Sequence, residues 1–409
     1  MQLKTIKWGS PPLSLIAQKI TPSATLALSA RAKEMAAQGH DVIDLTVGQP
    51  DFNTPAPIVE AAFRKVKEGA TGYTPTPGTI ELREAVARMF GEDYGLKVSL
   101  ENVIVSPGAK YSLTMAMQAL LGPSDKVIIP TPYWVSYPKM AAMAGAESVI
   151  VETTMEDSFR LTPELLEDAL DDNVKMLVLN NPSNPTGVGY NRRDLEKIAA
   201  VLSEYPRVWV LCDDIYRKLV YGSFKHLSFA RVEPDISSRC VFIDGVSKAY
   251  AMTGWRIGFT VGPKELVGAM TRLQGHSTSC AAAVSQAAAL EAITGDQSCV
   301  QDMLSAFSSR RDKMLHRFST IDNIVVVPPD GAFYVFANVE RIIGVKRPDG
   351  KVIGDDADLG DYLLEDAHVA GVPGSAFGSP GHLRFSYAAS ESRIMEALDR
   401  IQVSLNKLD

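Results

Sequence analysis

Cysteine and histidine are scarce in this 409-residue chain, with four of the first and six of the second. Cys212, Cys240, Cys280 and Cys299 are not spaced as zinc-ligand or redox pairs, and the histidines are scattered. Neither a metal centre nor a disulfide framework is expected; buried free thiols in a reducing compartment are. A basic excess is lacking too. Forty-eight acidic against 41 basic side chains give a net charge of −7, which is not the footprint of a nucleic-acid or anionic-membrane partner. Long apolar runs are missing. Beyond the first lysines the chain reads Leu13-Ser14-Leu15-Ile16-Ala17-Gln18-Lys19, which is no signal peptide. The most apolar later stretch, Ala281 to Ile293, is broken by Ser285, Gln286 and Glu291 and is too short to span a bilayer. The cytoplasm is the default location. No strand is followed by Gly-x-Gly-x-x-Gly, and neither a Walker A motif nor Gly-x-Ser-x-Gly occurs, which excludes Rossmann, P-loop and serine-hydrolase readings.

What is present is an ordinary globular composition, 46 % apolar. A single core rarely grows past roughly 250–300 residues, so two domains are expected. Short apolar runs read as buried strands over Val103–Val105, Lys126–Pro130, Ser148–Val151, Lys175–Leu179, Val208–Cys212, Cys240–Ile243 and Ile257–Val261. Amphipathic stretches at Ala109–Leu121, Val135–Ala144, Asn191–Glu204 and Pro263–Leu273 read as helices. Strands alternating with helices predict an α/β fold, a mainly parallel sheet with helices on both faces, in a large domain over residues 48–295. The tail, residues 296–409, reads as a smaller α+β domain. It has a helix at Gln301–Phe318, strands at Asn323–Val327, Ala332–Phe336 and His382–Tyr387, a helix at Glu391–Leu405, and a polar loop at Arg347–Asp358. Residues 1–47 are expected to form an arm that packs on this small domain or reaches a partner chain.

Open parallel sheets bind ligands beyond the carboxyl ends of their strands, and the chemically informative residues fall there. Val103–Val105 runs into Ser106-Pro107-Gly108-Ala109-Lys110, where small residues opening a helix expose N–H groups suited to a phosphate. Lys175–Leu179 runs into Asn180-Asn181-Pro182-Ser183-Asn184-Pro185-Thr186-Gly187, a rigid turn that can hold an amide. The next two strands lead to Cys212-Asp213-Asp214-Ile215-Tyr216 and to Asp244-Gly245-Val246-Ser247-Lys248. Four strand ends supply an anion cup, an amide, a carboxylate with a phenol, and an amine. Singly, each has a bland reading: surface lysine, helix-cap aspartate, ordinary turn. Their order and spacing together are far more specific.

With these motifs the chain resembles the class I aminotransferases of the pyridoxal-phosphate (PLP) fold-type I superfamily, and is most similar to the bacterial aspartate/prephenate subgroup. The resemblance runs from Pro22-Ser23-Ala24-Thr25 to Arg384-Phe385-Ser386-Tyr387, and its most specific stretch is Ser247-Lys248-Ala249-Tyr250-Ala251-Met252-Thr253-Gly254-Trp255-Arg256-Ile257-Gly258. It implies a PLP-binding large domain and these roles. Lys248 is the lysine that holds the cofactor covalently and moves the proton at Cα. Asp213 faces the pyridine nitrogen, whereas Asp214, its neighbour on an extended strand, points the other way. Tyr216 and Asn184 contact the cofactor's phenolic oxygen. Arg256, Gly108, Ala109 and Ser247 hold the phosphate, and Trp134, with Tyr133 as the alternative one residue away, covers the ring. Tyr73 reaches the neighbouring subunit's phosphate, which requires a homodimer with shared sites. Arg384 grips the substrate α-carboxylate, and strand alternation gives His382, Arg384 and Ser386 one polar face. Gly48 contacts the substrate through its backbone, and Lys110 approaches a distal carboxylate.

Two positions depart from the pattern. Gly245 stands where many relatives carry serine, and Thr21 stands where some prephenate-active relatives carry a basic residue. The expected activity is ping-pong transamination between an L-amino acid, aspartate first, and a 2-oxo acid such as 2-oxoglutarate. Aromatic, prephenate or alanine-type donors and a PLP-dependent lyase on the same fold are the alternatives. A non-enzymatic PLP-binding regulator would need a basic DNA-binding domain, for which there is no room before Pro22.

Overall fold

The computed structural model describes Gly9, residues 12–22 and residues 24–409. Ser23, part of the Pro-Ser-Ala-Thr string, lies outside the described residues, as does most of the extreme N-terminus of the expected arm.

Seven strands form the main sheet: β1 (Val103–Ser106), β2 (Lys126–Pro130), β3 (Glu147–Val151), β4 (Val174–Asn180), β5 (Trp209–Asp213), β6 (Cys240–Gly245) and β7 (Gly258–Val261). Their spatial order is β1-β7-β6-β5-β4-β2-β3. Every strand runs the same way except β7, which is antiparallel to both of its neighbours. The period of two along a strand divides the core into two layers. Leu177, Leu179, Val210, Cys212, Cys240 and Phe242 pack on one face. Met176, Val178, Leu211, Val241 and Ile243 pack on the other. Both faces are covered, so the strands read as continuous apolar runs, and truncating one such leucine to alanine costs about 2–5 kcal/mol.

The expected strands all appear, with ends shifted by one or two residues; the run at Asn323–Val327 pairs only over Val325–Val326. The expected helix at Val135–Ala144 is shorter, Tyr137–Met143, because Pro138 suits a first helical turn and not an interior. The polar stretch Arg347–Asp358 is a loop only as far as Asp355, whose side chain caps a helix at Asp356–Tyr362 by accepting from the Asp358 N–H. The apolar stretch at Ala281–Ile293 is a helix, Ala283–Thr294. Among the described residues no helix is long and apolar enough to cross a membrane.

The C-terminal part adds a four-stranded antiparallel sheet of β8 (Val325–Val326), β9 (Tyr334–Asn338), β10 (Val372–Pro373) and β11 (His382–Ser386), ordered β10-β11-β9-β8. Leu383, Phe385 and Tyr387 turn into a core with Phe307 and Met314 of the helix Ser298–Phe318 and Ile394 and Leu398 of the helix Glu391–Leu405. His382, Arg384 and Ser386 take the opposite face. The N-terminal segment joins this layer. Ile43 and Asp44 pair in parallel with Val369 and Ala370, Leu45 accepts from the Ser386 N–H, and Arg31 of the helix Ala24–Ala37 pairs with Asp361 and Glu365.

Candidate active site

The carboxyl ends of β4, β5 and β6, the helix after β1, and residues 46–49 enclose a cavity of about 550 Å³. That volume suits a cofactor-sized ligand with a small acid beside it.

Asp213 ends β5 and is 4 % exposed. Its Oδ2 accepts a hydrogen bond from the Tyr137 hydroxyl at 2.6 Å. Burial pushes the carboxyl up to about 7, against the Tyr137 bond, which lowers it. Asp214 turns to the other face, accepting from the Tyr94 hydroxyl at 2.8 Å and meeting His226 Nε2 at 3.3 Å. Lys248 reaches into the same cavity from the loop after β6. Its Nζ donates to the Gly48 carbonyl and lies 5.8 Å from the ring centres of Tyr216 and Phe333. Burial pulls this amine down to about 8, reinforced by Arg384 and opposed by Asp213. An amine in that range is partly neutral near physiological pH, as a nucleophile needs.

At the other end, Gly108 opens the helix Ala109–Leu120 with φ +93°, and a Cβ there would stand 2.4 Å from Arg256 Nη2. Glycine therefore lets the guanidinium lie over the helix start, where the first N–H groups lack intrahelical acceptors. Arg256 is itself left-handed, φ 56°, with Nη1 donating to the Thr253 carbonyl at 2.8 Å. Ala109 and Ser247 line the cavity beside it. At Gly245 a Cβ would lie 2.8 Å from the Ile257 carbonyl oxygen, so in this chain glycine permits the close β6–β7 pairing there.

Arg384, 2 % exposed, projects from β11. Its Nη1 donates to Asn184 Oδ1 at 2.8 Å and its Nη2 to the Thr46 carbonyl at 2.7 Å, while Nε has no partner among the described residues. The guanidinium lies 4.4 Å from the Tyr334 ring centre and 4.9 Å from that of Phe377. Trp134, the aromatic of the pair that lines the cavity, carries Lys110 Nζ 4.7 Å over its ring. Tyr133 turns away, its ring tight against Gly378. Lys110 stands exposed at the cavity mouth, its ammonium shifted downward by partial burial and by Arg256. Tyr216 bonds the Tyr334 hydroxyl at 3.0 Å, so it and Asn184 meet protein partners as well as the cavity. Tyr73 is 93 % exposed and is not brought to the cavity by its own chain.

Four residues at the site escape sequence reasoning. Tyr137 holds Asp213, Tyr334 holds Tyr216 and flanks Arg384, Thr46 holds Arg384, and Asn180 donates to the Asp213 carbonyl at 2.8 Å while its Oδ1 accepts from the Asn184 N–H. Tyr137 had a signal, since it follows Trp134 by three residues at a helix start. Tyr334 had none beyond its strand.

An amine beside a buried carboxylate, with a guanidinium over a helix start at the far end, is a donor set compatible with an anionic ligand that bears a carbonyl. The residues fit PLP: Gly108 leaves space that a Cβ would fill, and Asp213 has no ion-pair partner among the described residues. The chain belongs to the aminotransferase class I and II family, whose profile matches residues 40–401. It is 45 % identical over 384 residues to a probable aspartate/prephenate aminotransferase of Rhizobium leguminosarum bv. phaseoli, covering 94 % of this chain and 96 % of the relative. It is 42 % identical over 400 residues to the aspartate aminotransferase of Rhizobium meliloti (strain 1021), covering 98 % and 97 %. A crystal structure of the aspartate aminotransferase from Rhizobium meliloti superposes with a TM-score of 0.95 over 98 % of this chain and 100 % of that one, at 42 % identity. The aspartate aminotransferase from Thermus thermophilus with maleate gives 0.90 over 97 % and 100 %, at 39 % identity. The chain is an aminotransferase with the fold-type I architecture expected from its sequence, and its family implies PLP.

Proposed function

We propose that this enzyme moves the amino group of L-aspartate to 2-oxoglutarate in a ping-pong cycle, with PLP held on Lys248. The observation that carries the dicarboxylate choice is the pair of cations at the substrate end: Arg384, buried with an unpaired Nε, and Lys110 at the mouth. The names of the relatives agree with it.

Bound PLP supplies a carbonyl that takes the amino group and a ring that accepts electron density released at Cα. Asp213, itself buried, would face the ring nitrogen and hold a positive charge there. Arg256, Ser247, Ala109 and the helix start at Gly108 would anchor the phosphate. Tyr216 and Asn184 would hold the phenolic oxygen, and Trp134 would cover the ring. Arg384 fixes the α-carboxylate and Gly48 adds a backbone contact, which orients the Cα–H bond. Lys248, as a neutral amine, would take and hold that proton.

The division into residues 48–295 as the PLP-binding domain and residues 1–47 with 296–409 as an arm and small domain belongs to the same reading. So does a cytoplasmic homodimer. Support for the dimer is the exposed Tyr73, with Phe63 and Ile80 also exposed nearby in sequence, a surface suited to a second copy whose phosphate Tyr73 would reach. The test is an amino-acid panel followed by the PLP-to-pyridoxamine spectral change. Aspartate and glutamate should convert fastest, and ammonia release without a 2-oxo acid would instead mark a lyase.

A further inference from the structure

Among the described residues the cavity is lined by five cationic side chains, Lys33, Lys110, Lys248, Arg256 and Arg384, against one carboxylate, Asp213. The proposed function gives four of the five an anion or a bond: phosphate to Arg256, cofactor to Lys248, α-carboxylate to Arg384, distal carboxylate to Lys110. Lys33 is left over, and it forms no ion pair among the described residues.

Its position is not that of an incidental surface lysine. On the helix Ala24–Ala37, Thr25, Ser29 and Lys33 recur every four residues and share one face. All three line the cavity. Arg31, two residues away and on another face, is paired with Asp361 and Glu365 and fastens the helix to the C-terminal layer. The cavity face is fastened as well. Ser29 Oγ donates to Asp44 Oδ2 at 2.8 Å, Asp44 Oδ1 accepts from the Thr46 N–H at 2.9 Å, and the Thr46 carbonyl accepts from Arg384 Nη2 at 2.7 Å. This chain of bonds sets the helix face that bears Lys33 in register with the arginine assigned to the α-carboxylate.

We propose that Lys33 is a specificity-determining residue that binds the distal carboxylate of dicarboxylate substrates, acting with Lys110 from a different wall of the cavity. The inference rests on the aspartate/2-oxoglutarate reading above and adds a second cation to it. A flexible four-carbon stem lets the ammonium meet a carboxylate at the mouth, and two cations from separate elements favour a dianion over a monoanion of equal length. The phosphate is not its ligand, because Arg256 and the helix start at Gly108 already occupy that end.

The test uses the PLP-loaded enzyme and two unreactive ligands of equal length, glutarate and pentanoate, with dissociation constants read from the cofactor absorbance. Wild type should prefer glutarate. Lys33→Gln should weaken glutarate by about 5- to 10-fold, just below the range for a charge-assisted bond because Lys33 is exposed to solvent. Pentanoate should change less than about twofold. Lys33→Arg should keep the preference and Lys33→Glu should weaken glutarate further than Lys33→Gln does; these two variants decide the matter should the glutamine form load poorly. Equal losses for both ligands, or unchanged glutarate binding, would overturn the assignment. Aspartate turnover is measured on wild type alongside. If it is present while the glutarate preference ignores Lys33, the inference fails and the function stands. If it is absent while the preference follows Lys33, the function fails and the inference stands.

Discussion

The hydroxyl of Tyr137 is bonded at 2.6 Å to Asp213, both groups are buried, and the carboxyl still sits at about 7. One phenol does not balance the burial of this carboxylate; a cation placed beside it would. Asp213→Ala should therefore lower kcat by at least about 100-fold, the scale of losing one preorganised electrostatic group. Asp214→Ala should act on stability, by about 1–3 kcal/mol, because it strips the acceptor from the buried Tyr94 hydroxyl. Steady-state kinetics and thermal melts of the two variants check this, and the reverse pattern would exchange the roles of the two aspartates.

The same carboxyl gives a pH signature without cofactor. Its folded pKa lies above the unfolded value of 3.8. Its contribution to stability is therefore complete below about pH 3.8 and is lost as pH rises through about 7. Melts of cofactor-free wild type against Asp213→Asn should show the wild type losing ground across that window, on the order of a few kcal/mol in total. A difference that stays flat with pH would mean that the carboxyl titrates normally.

Lys248, at about 8, becomes increasingly neutral as pH rises through that value, so the rate of covalent PLP incorporation should climb between about pH 7 and 9 and then level off. Borohydride reduction followed by peptide mapping should place the label on Lys248. Lys248→Ala should bind PLP without the covalent bond and transaminate many orders of magnitude more slowly. A label on another lysine would remove the central assignment.

Lys110 and Arg384 should separate by substrate. Lys110→Ala should cost aspartate roughly ten- to a hundred-fold in kcat/KM, as for one charge-assisted hydrogen bond, and leave phenylalanine nearly unchanged. Arg384→Ala should penalise every donor, since all carry the α-carboxylate. Equal losses for aspartate and phenylalanine in Lys110→Ala would move that lysine to the phosphate or the surface.

Tyr73 should act across subunits. Mixing Tyr73→Phe with Lys248→Ala should form hybrid dimers in which one of the two sites has both native groups. Activity above that of either variant alone is the expected result. No recovery, with subunit exchange demonstrated, would mean that each chain completes its own site.

Much of this arrangement was legible from residue order. Asp213, Lys248 and Asn184 follow runs of buried residues, and strand ends are where an open sheet places ligands. Asp214 points away from Asp213 because side chains alternate along a strand, which needs no knowledge of the tertiary structure. The orientation of β7 was not legible, since an apolar run carries no direction. The helix Ile80–Tyr94 announces itself only through its Thr79 cap and left-handed Gly95, away from any strand end. Tyr334 and Thr46 lie 50 and 338 residues from Arg384, and pattern within a short window cannot join them. The same distance separated Lys33 from its role, for a lysine on an amphipathic helix looks the same whether its face meets solvent or a cavity.

The reversed strand β7 governs where Lys248 and Arg256, the groups proposed for the cofactor's two ends, are placed. In a wholly parallel sheet each strand brings only its finish to the binding rim, and every anchoring group needs its own long crossover. Because β7 runs backwards, its first residue, Gly258, lies beside Ser106 and Gly245, and the chain from Lys248 to Arg256 never leaves the rim. Lys248 and Arg256, the proposed covalent anchor and phosphate guanidinium, thus sit on one short connection. Their separation is set by chain length along that connection, like two jaws on one caliper, and an insertion or deletion inside it would shift both grips together.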